Sequence, residues 1–345
     1  MEFNNNKGEN KFPYEITEAE EDVREQFIKD FHGQPTGYVQ IGPEKWFLPD
    51  KFRHCANEIY NFEARSNDVF ICTYPRSGTT WTQEMIWLIC NDLDYEKAQK
   101  ITLNERFPFF EFHLYMHDQM KAKFLEENEE EWKKDFIEKI SVPGYKFLPE
   151  MTQQRFVKTH LPFKLLPPSI MEKRAKVVYV ARHPKDVVVS YYHLNKLYRT
   201  QGYVNDFNTF FEYFTKDLLH WSPYFEHIKD AWSHRHDENV LFLFYEDLIK
   251  DLESSLKQLA CFLGKPLKEE HLPKLLDHLS IQNFKNNPAL NGKDLIDVKV
   301  LATGAQGFVR LGSTEKNSEL TSEMSQKIEK WIEANLKDSD FKFRV

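Results

Sequence analysis

The chain has 345 residues, and its 46 lysines and arginines against 54 aspartates and glutamates give a formal net charge of −8. This acidic balance argues against a general nucleic-acid binder, which would present a positive surface. Apolar residues make up 41% of the chain and aromatic residues 15%, which excludes a wholly disordered protein. The length suits one large α/β domain or two ordinary domains.

The N-terminus is polar and lacks the apolar stretch of a signal peptide, and no apolar run approaches the about 18–20 residues of a membrane span. The four cysteines form no CxxC pair and lie far apart, at Cys55, Cys72, Cys90 and Cys261. Such cysteine usage is typical of a reducing compartment. The sequence therefore predicts a soluble, cytoplasmic protein with neither a membrane nor a nucleic acid as partner.

The first elements in chain order are a polar arm and a buried strand. Residues 1–36 are expected to form a loose N-terminal arm that leads into a short helix, and residues 37–345 to form the folded domain. Three segments then share one pattern, in which a continuous apolar run is followed by a polar turn and a helical pattern. These strand–helix pairs are residues 68–74 with 81–91, residues 176–181 with 185–198, and residues 240–245 with 248–263.

A fourth short strand is predicted at residues 155–158, and amphipathic helices at residues 210–232 and 323–336. Continuous rather than alternating apolar strands indicate burial on both faces, hence a parallel sheet. The fold class is therefore α/β, a single domain with a central parallel sheet flanked by helices on both faces. In such sheets ligands bind beyond the carboxyl ends of the strands.

The first motif at such an end is YPRSGTTW, residues 74–81. Gly78 permits close approach of the backbone to a ligand, and the helix start that follows offers unpaired N–H groups to an anion. The loop is not a Walker A loop, because the GxxxxGK[ST] pattern is absent. An ordinary strand-to-helix turn with a capping threonine is the alternative.

The second motif is FVKTHLP, residues 156–162. Lys158 and His160 are two residues apart on an extended strand, so both side chains can reach one reacting centre. Histidine can accept a proton near neutral pH, and a lysine can stabilise developing negative charge. A histidine that is merely hydrogen-bonded is the alternative.

The third motif is RHPKDVVVSYYH, residues 182–193. Arg182 closes a strand and can hold a phosphate through its planar guanidinium, while Ser190 adds a hydroxyl donor from the following helix. A surface salt bridge and a helix-surface serine are the alternative.

Taken together, the three motifs resemble those of the cytosolic sulfotransferases, which use 3′-phosphoadenosine 5′-phosphosulfate (PAPS). The family's corresponding segments read YPKSGTTW, KTHLP and RNxKDVxVSYYH, and further matches are LFYED at residues 243–247 and FKNNP at residues 284–288. The resemblance runs from about residue 37 to the C-terminus. Segments such as PYFEHIKDAW at residues 223–232 are most similar to the insect branch, which includes a retinol dehydratase.

The resemblance implies a binding site for PAPS, with 3′-phosphoadenosine 5′-phosphate (PAP) as the product. It would place Ser77 to Thr80 around the 5′ phosphate, Trp81 and Tyr245 near the adenine, and Arg182 and Ser190 on the 3′ phosphate. The implied cofactor-binding residues are Arg76, Ser77, Gly78, Thr79, Thr80, Trp81, Arg182, Ser190, Tyr245, Arg310 and Gly312.

The resemblance also implies the catalytic residues. His160 would take the proton from the acceptor hydroxyl, while Lys158 and Arg76 would stabilise the transferring group and the departing phosphate. The sequence offers no evident set of metal ligands, so no metal is expected.

The chain departs from the family pattern at several places. Arg76 replaces the loop lysine of the family, and the C-terminal RKGxxGDWKN appears as RLGSTEKN at residues 310–317, which keeps Arg310 and Gly312. The family's common threonine near the adenine aligns with Leu279. The KxxxTVxxxE dimerisation pattern is not reproduced, so a homodimer and a monomer both stay open.

Residues 104–149 resemble an insertion relative to vertebrate members, with an aromatic cluster at residues 107–115 and a charged, helix-like stretch at residues 121–140. We expect this insertion to form a lid or wall of an apolar acceptor pocket. A peripheral helical hairpin is the alternative.

These observations predict a PAPS-dependent sulfotransferase that acts on the hydroxyl of a small, largely apolar phenol or alcohol. Elimination from a sulfated allylic alcohol, as a retinol dehydratase would perform, is a second prediction on the same scaffold. A non-catalytic protein that binds PAP or another ligand also fits the motifs, and a nucleotide kinase fits them less well.

Overall fold

A four-stranded parallel sheet lies at the centre of the computed structural model, which describes residues 10–303 and 319–344. Its strands are β4 (Val69–Cys72), β5 (Phe156–Thr159), β6 (Lys176–Ala181) and β7 (Val240–Phe244). Their order is β5-β4-β6-β7, and every neighbouring pair is parallel. The predicted parallel sheet is therefore confirmed, since continuous apolar runs form strands that are buried on both faces.

Alternate residues of the central strands pack into two different hydrophobic clusters. Val178 and Val180 of β6 belong to one cluster, and Val177 and Tyr179 belong to the other. Because successive side chains of a strand point to opposite faces, the two clusters lie on opposite faces of the sheet. Helices thus cover both faces, as the apolar pattern predicts.

The helices of the described residues carry labels in chain order. They are α1 (Glu21–Asp30), α2 (Ala56–Tyr60), α3 (Thr79–Cys90), α4 (Tyr95–Lys100), α5 (Leu103–Arg106), α6 (Asp118–Glu127), α7 (Glu131–Ser141), α8 (Gly144–Phe147), α9 (Ser169–Glu172), α10 (Pro184–Leu197), α11 (Phe207–Thr215), α12 (Tyr224–Ser233), α13 (Tyr245–Lys250), α14 (Leu252–Leu263), α15 (Leu272–His278), α16 (Ile281–Asn286), α17 (Lys293–Asp297) and α18 (Ser322–Leu336). Short 3-10 turns occur at Asp50–His54, Phe112–Leu114, Leu148–Glu150, Phe163–Leu165 and Glu269–His271. None of the helices in this part of the chain is long and apolar enough to cross a bilayer.

A second sheet, which the sequence patterns did not predict, lies near the N-terminus. It is antiparallel and has the order β1-β2-β3, with β1 at Ile16–Glu18, β2 at Tyr38–Ile41 and β3 at Trp46–Pro49. The arm predicted to be loose is therefore packed over residues 10–36, because β1 pairs with β2 and Phe27 and Phe31 are fully buried. The predicted short helix is α1. The division of the chain at residue 36 stays a prediction.

Two predicted long helices are interrupted in the structure. The segment 210–232 contains α11 and α12, separated by residues 216–223, which end in a cis Ser222–Pro223 bond. Proline removes a backbone donor and cannot continue a helix interior, so the amphipathic pattern spans a break. The segment 248–263 is likewise divided at Asp251, whose carboxylate accepts the N–H of Ser254 and so begins α14.

Candidate active site

The turn between β4 and α3 is tightly built around Gly78. This residue has φ of +99°, and a Cβ at its position would lie 2.6 Å from Cδ2 of Tyr245. A side chain is thus excluded both by the left-handed backbone and by contact with the ring. The N–H groups at the start of the twelve-residue α3 follow directly, which is the arrangement that binds anions at helix N-termini.

Two arginines and a serine meet at this turn. Arg76 has φ of +71°, and its Nε donates a hydrogen bond to Oγ of Ser190 at 2.7 Å. Arg182 donates from Nη1 to the backbone oxygen of Arg76 at 3.0 Å, and its guanidinium lies 4.1 Å from the ring centroid of Tyr245. Nε of Arg182 is buried and has no partner among the described residues. An unpaired guanidinium N–H beside a helix N-terminus is a ready donor for a phosphate oxygen.

Trp81 lies at the opposite side of the same turn, against the ring of Tyr245. The two ring centroids are 6.2 Å apart at an angle of 65°. Nε1 of Trp81 donates to the backbone oxygen of Leu279 at 2.9 Å. Because that contact uses the main chain, the leucine at position 279 does not disturb it.

His160 follows β5 and is held in one tautomer. Its Nδ1 lies 2.7 Å from the backbone oxygen of Thr73, which can only accept, so Nδ1 carries the proton. Burial, reinforced by the charge of Lys158, holds the pKa of His160 well below its usual range. The imidazole is therefore neutral, and Nε2 is the nitrogen that can accept a proton.

Lys158 lies on β5, the edge strand of the central sheet. Its Nζ lies 4.3 Å from the ring centroid of Phe109. Burial lowers the pKa of Lys158 to about 8, against the opposing effect of the Glu111 carboxyl. The ring of Phe109 also packs edge-on against His160, with 5.1 Å between the centroids. One aromatic side chain thus adjoins both predicted catalytic residues.

The edge of β5 is covered by the segment that carries Phe109. The N–H of Lys158 donates to the oxygen of Pro108 at 2.9 Å, and the N–H of Phe110 donates to the oxygen of Lys158 at 2.8 Å. This main-chain pairing fixes the beginning of the predicted insertion directly on the strand that carries Lys158.

Glu111 belongs to the candidate site and was missed by the sequence patterns. It is fully buried, and its Oε1 accepts the backbone N–H of His160 at 2.6 Å. Burial raises the pKa of Glu111 to about 8, although the hydrogen bond from His160 lowers it. A signal was available, because a lone acidic residue within the aromatic run 107–115 has to find a partner when that run is buried.

A cavity of about 350 Å³ brings most of the predicted site residues together. Those lining it are Arg76, Gly78, Thr79, Thr80, Trp81, Lys158, His160, Arg182, Ser190 and Tyr245. Ser77 is buried beside the cavity without lining it. Arg310 and Gly312 lie outside the described residues. The individual roles assigned to these residues stay predictions.

A second cavity of about 350 Å³ adjoins the first. Both are lined by Thr80, Phe109, Lys158 and Tyr198. Much of the second cavity's wall comes from the predicted insertion and is apolar or aromatic, as at Phe112, Phe136, Ile140, Val142 and Phe147. We refer to the first as the polar cavity and to the second as the apolar cavity.

Comparison with known proteins gives concordant matches over most of the chain. The family described as the sulfotransferase domain matches residues 66–340. Luciferin sulfotransferase of Photinus pyralis is 36% identical over 330 residues, which cover 94% of this chain and 85% of that protein. Sulfotransferase 1E1 of Bos taurus is 35% identical over 296 residues, covering 86% of this chain and 92% of that protein.

Two crystal structures of retinol dehydratase are similar over nearly the whole fold. The complex with androsterone and the inactive cofactor PAP has a TM-score of 0.89 at 38% identity, covering 96% of this chain and 98% of that one. The complex with retinol and PAP has a TM-score of 0.88 at 38% identity, covering 96% and 99%.

Proposed function

Since this chain belongs to the sulfotransferase family, whose sulfuryl donor is PAPS, we propose that it sulfates the hydroxyl of a small, largely apolar phenol or alcohol. The observation that carries the proposal is the state of His160. Its Nδ1–H donates to the backbone oxygen of Thr73, so Nε2 is the nitrogen that can accept a proton. His160 lines a cavity that is also lined by Lys158 and by the turn between β4 and α3.

The residues around the turn fit PAPS. The buried Nε of Arg182 lacks a partner among the described residues and is a donor that suits a phosphate oxygen. The space above Gly78 is one that a Cβ would fill, which suits close approach of a ligand to the backbone. Ser190 adds a hydroxyl beside Arg76. When bound, PAPS supplies a sulfuryl group whose sulfur bonds to the acceptor oxygen as its bond to the phosphate oxygen breaks, giving PAP.

In this reaction His160 acts as the general base. Nε2 accepts the proton of the acceptor hydroxyl, which makes the oxygen a better nucleophile. The hydrogen bond from Nδ1 to Thr73 then stabilises the imidazolium that forms. The low pKa of the free imidazole keeps the base ready throughout the neutral range.

Lys158 and Arg76 stabilise negative charge. Lys158 presents its ammonium from the edge strand beside His160, where it would stabilise negative charge on the transferring sulfuryl group. Arg76 lies in the turn, where its Nε donates to Oγ of Ser190, and it would stabilise the charge that develops on the departing phosphate. The reaction is positioning combined with electrostatics, with no metal in its scheme.

The apolar cavity is the proposed acceptor site. It meets the polar cavity at Lys158 and Phe109, so an acceptor lying in it would present its hydroxyl to His160. Its aromatic lining favours an apolar body. In this proposal the insertion at residues 104–149 is the outer wall of that site rather than a peripheral hairpin.

A second candidate is dehydration through a sulfated allylic alcohol. The similarity to retinol dehydratase over nearly the whole chain favours it. In that case the sulfate ester would ionise in the apolar cavity and lose a proton instead of being released. A cytoplasmic location and a homodimer are likewise proposals, and the four free cysteines are compatible with the former.

The test is transfer from PAPS to a panel of phenols and apolar alcohols in the presence of a magnesium chelator, with both sulfated and dehydrated products measured. We expect sulfation, and we expect His160→Ala to abolish transfer while PAP affinity changes less than about threefold. Unchanged turnover in His160→Ala would refute the base assignment. PAP binding without transfer to any acceptor would favour the non-catalytic alternative.

A further inference from the structure

Gln201 lies in the turn after α10, and its side chain lines the polar cavity without a partner. The side chain is 4% exposed, and neither Nε2 nor Oε1 has a hydrogen-bond partner among the described residues. Burying an amide without partners removes both polar groups from water and gives them no hydrogen bond in return. Because this amide lines a cavity, it is available to pair with a polar group of a ligand.

The main chain holds this amide in place. The N–H of Gln201 donates to the oxygen of Tyr198 at 3.0 Å, and its oxygen accepts the N–H of Gly33 at 3.0 Å. Gly33 packs so closely that a Cβ there would lie 2.1 Å from the oxygen of Thr200. The turn is therefore fixed from both sides, and its side chain is presented at a defined place.

A second polar atom is left unpaired in the same cavity. Asn195, on α10, donates from Nδ2 to the oxygen of Tyr191 at 2.9 Å, and its Oδ1 has no partner in the part of the chain that the structure describes. The side chain is 1% exposed and lines the polar cavity. Together, the NH2 group of Gln201 offers two N–H donors, and Oε1 of Gln201 and Oδ1 of Asn195 offer two acceptors.

These groups lie at the acceptor side rather than at the phosphate side. Nε2 of Gln34 donates to the oxygens of both Tyr115 and Thr200, at 3.1 and 3.0 Å, so the turn that carries Gln201 adjoins the Tyr115 segment. The ring of Tyr115 packs against Phe109, with 6.0 Å between the centroids. Ser190 lies at the middle of α10, five residues before Asn195, which corresponds to about 7.5 Å along the helix axis at 1.5 Å per residue.

We propose that Gln201, assisted by Oδ1 of Asn195, is a specificity site that binds a second polar group of the acceptor. The amide can donate to a carbonyl oxygen or exchange hydrogen bonds with a hydroxyl. Neither side chain carries a charge, so an uncharged group fits. This inference rests on the proposed function and narrows it, because the acceptor then carries, besides its apolar body and its reacting hydroxyl, a carbonyl or second hydroxyl that lies with Gln201 in the polar cavity.

The test uses 4-alkylphenols of increasing chain length and the same phenols ending in a methyl ketone. For the wild type, kcat/KM for the ketone should exceed that for its alkyl partner by about tenfold or more at one chain length, because a site built to hydrogen-bond a group discriminates against its absence. In Gln201→Met, which keeps the side-chain length but loses the amide nitrogen and oxygen, the two kcat/KM values should be equal within about twofold. Gln153→Met, on the exposed surface, is the matched control and should keep the preference.

Binding to the protein saturated with PAP is measured in parallel by calorimetry, so the test does not depend on turnover. Gln201→Glu, which places a carboxylate beside the ketone oxygen, is a second variant and should reverse the preference. If no phenol is sulfated, the proposed function fails, and the binding preference alone decides this inference. The inference is overturned if the wild type shows no preference for the ketone at any chain length, or if the preference survives Gln201→Met. It is also overturned if no ketone binds.

Discussion

Replacing Glu111 by leucine removes the carboxyl oxygen that accepts the backbone N–H of His160 at 2.6 Å. The N–H is then buried without an acceptor, which costs about 1–3 kcal/mol. The peptide of His160 can recover part of that free energy only by moving, and the movement displaces the base. If the whole cost falls on the transition state, kcat decreases by about 5- to 150-fold.

Glu111→Gln is the informative counterpart. Burial raises the pKa of Glu111 to about 8, so the carboxyl is largely protonated at pH 7 and an uncharged amide resembles it. The amide oxygen still accepts the N–H of His160. We therefore expect Glu111→Gln to keep kcat at pH 7 within about fivefold of the wild type. PAP affinity should be unchanged in both variants, because Glu111 does not line the polar cavity.

The assay is PAPS-dependent sulfation of one phenol at pH 7, with PAP affinity measured separately by calorimetry. Wild-type kcat in Glu111→Leu would refute the positioning argument. An equal loss in Glu111→Gln and Glu111→Leu would show that the charge of Glu111, rather than its hydrogen bond, is what matters.

Glu111 also makes stability depend on pH in a definite direction. Its pKa rises from 4.5 to about 8 on folding, so the folded state holds a proton that the unfolded state releases in this interval. The stabilisation is complete below about pH 4.5 and is lost as the pH rises through about 8. The free energy of unfolding of the wild type, relative to Glu111→Gln, should therefore fall by up to about 1.4 kcal/mol per pH unit between these limits. Urea unfolding at pH 5, 7 and 9 measures it, and a constant or rising difference would contradict the burial argument.

Two further predictions concern Lys158 and Gly78. Burial lowers the pKa of Lys158 to about 8, so kcat/KM should fall as the pH rises through about 8. In Lys158→Arg, which keeps its charge at high pH, this decline should disappear. A decline that is unchanged in Lys158→Arg but absent from Glu111→Gln would assign it to the carboxyl of Glu111 instead. Gly78→Ala, with φ of +99° and a Cβ 2.6 Å from the Tyr245 ring, should weaken PAP binding at least about tenfold by calorimetry. Gly264→Ala, with φ of +73° and open space around it, carries only the backbone strain and should leave PAP binding unchanged; equal affinity in both variants would contradict the close-approach argument.

The central sheet could be predicted because its strands are encoded locally. Segments 68–74, 176–181 and 240–245 are continuous apolar runs next to turn residues, and each contains a strand of the parallel sheet. The turn between β4 and α3 could be predicted equally well, since a glycine and two threonines before a helix are adjacent in sequence. Motifs of this kind need no knowledge of distant partners.

The remaining features depend on partners that are far apart in the chain. β1 has three residues and is stabilised by pairing with β2, so its own sequence gives no recognisable period. Glu111 acquires its role only when the N–H of His160 is placed beside it. Gln201 belongs to no recognisable motif. That its amide is buried and unpaired can be recognised only from the folded structure, in which its turn packs against Gly33.

The pairing of Pro108–Phe110 with Lys158 has a consequence for how this protein can diverge. Two of the contacts that join the segments are backbone hydrogen bonds, which do not depend on the identity of the side chains. The side chain at position 109 can therefore be exchanged through mutation while Lys158 keeps its register. Selection for a new acceptor can thus act on the side chain at position 109, while the main chain of the same segment keeps Lys158 in place.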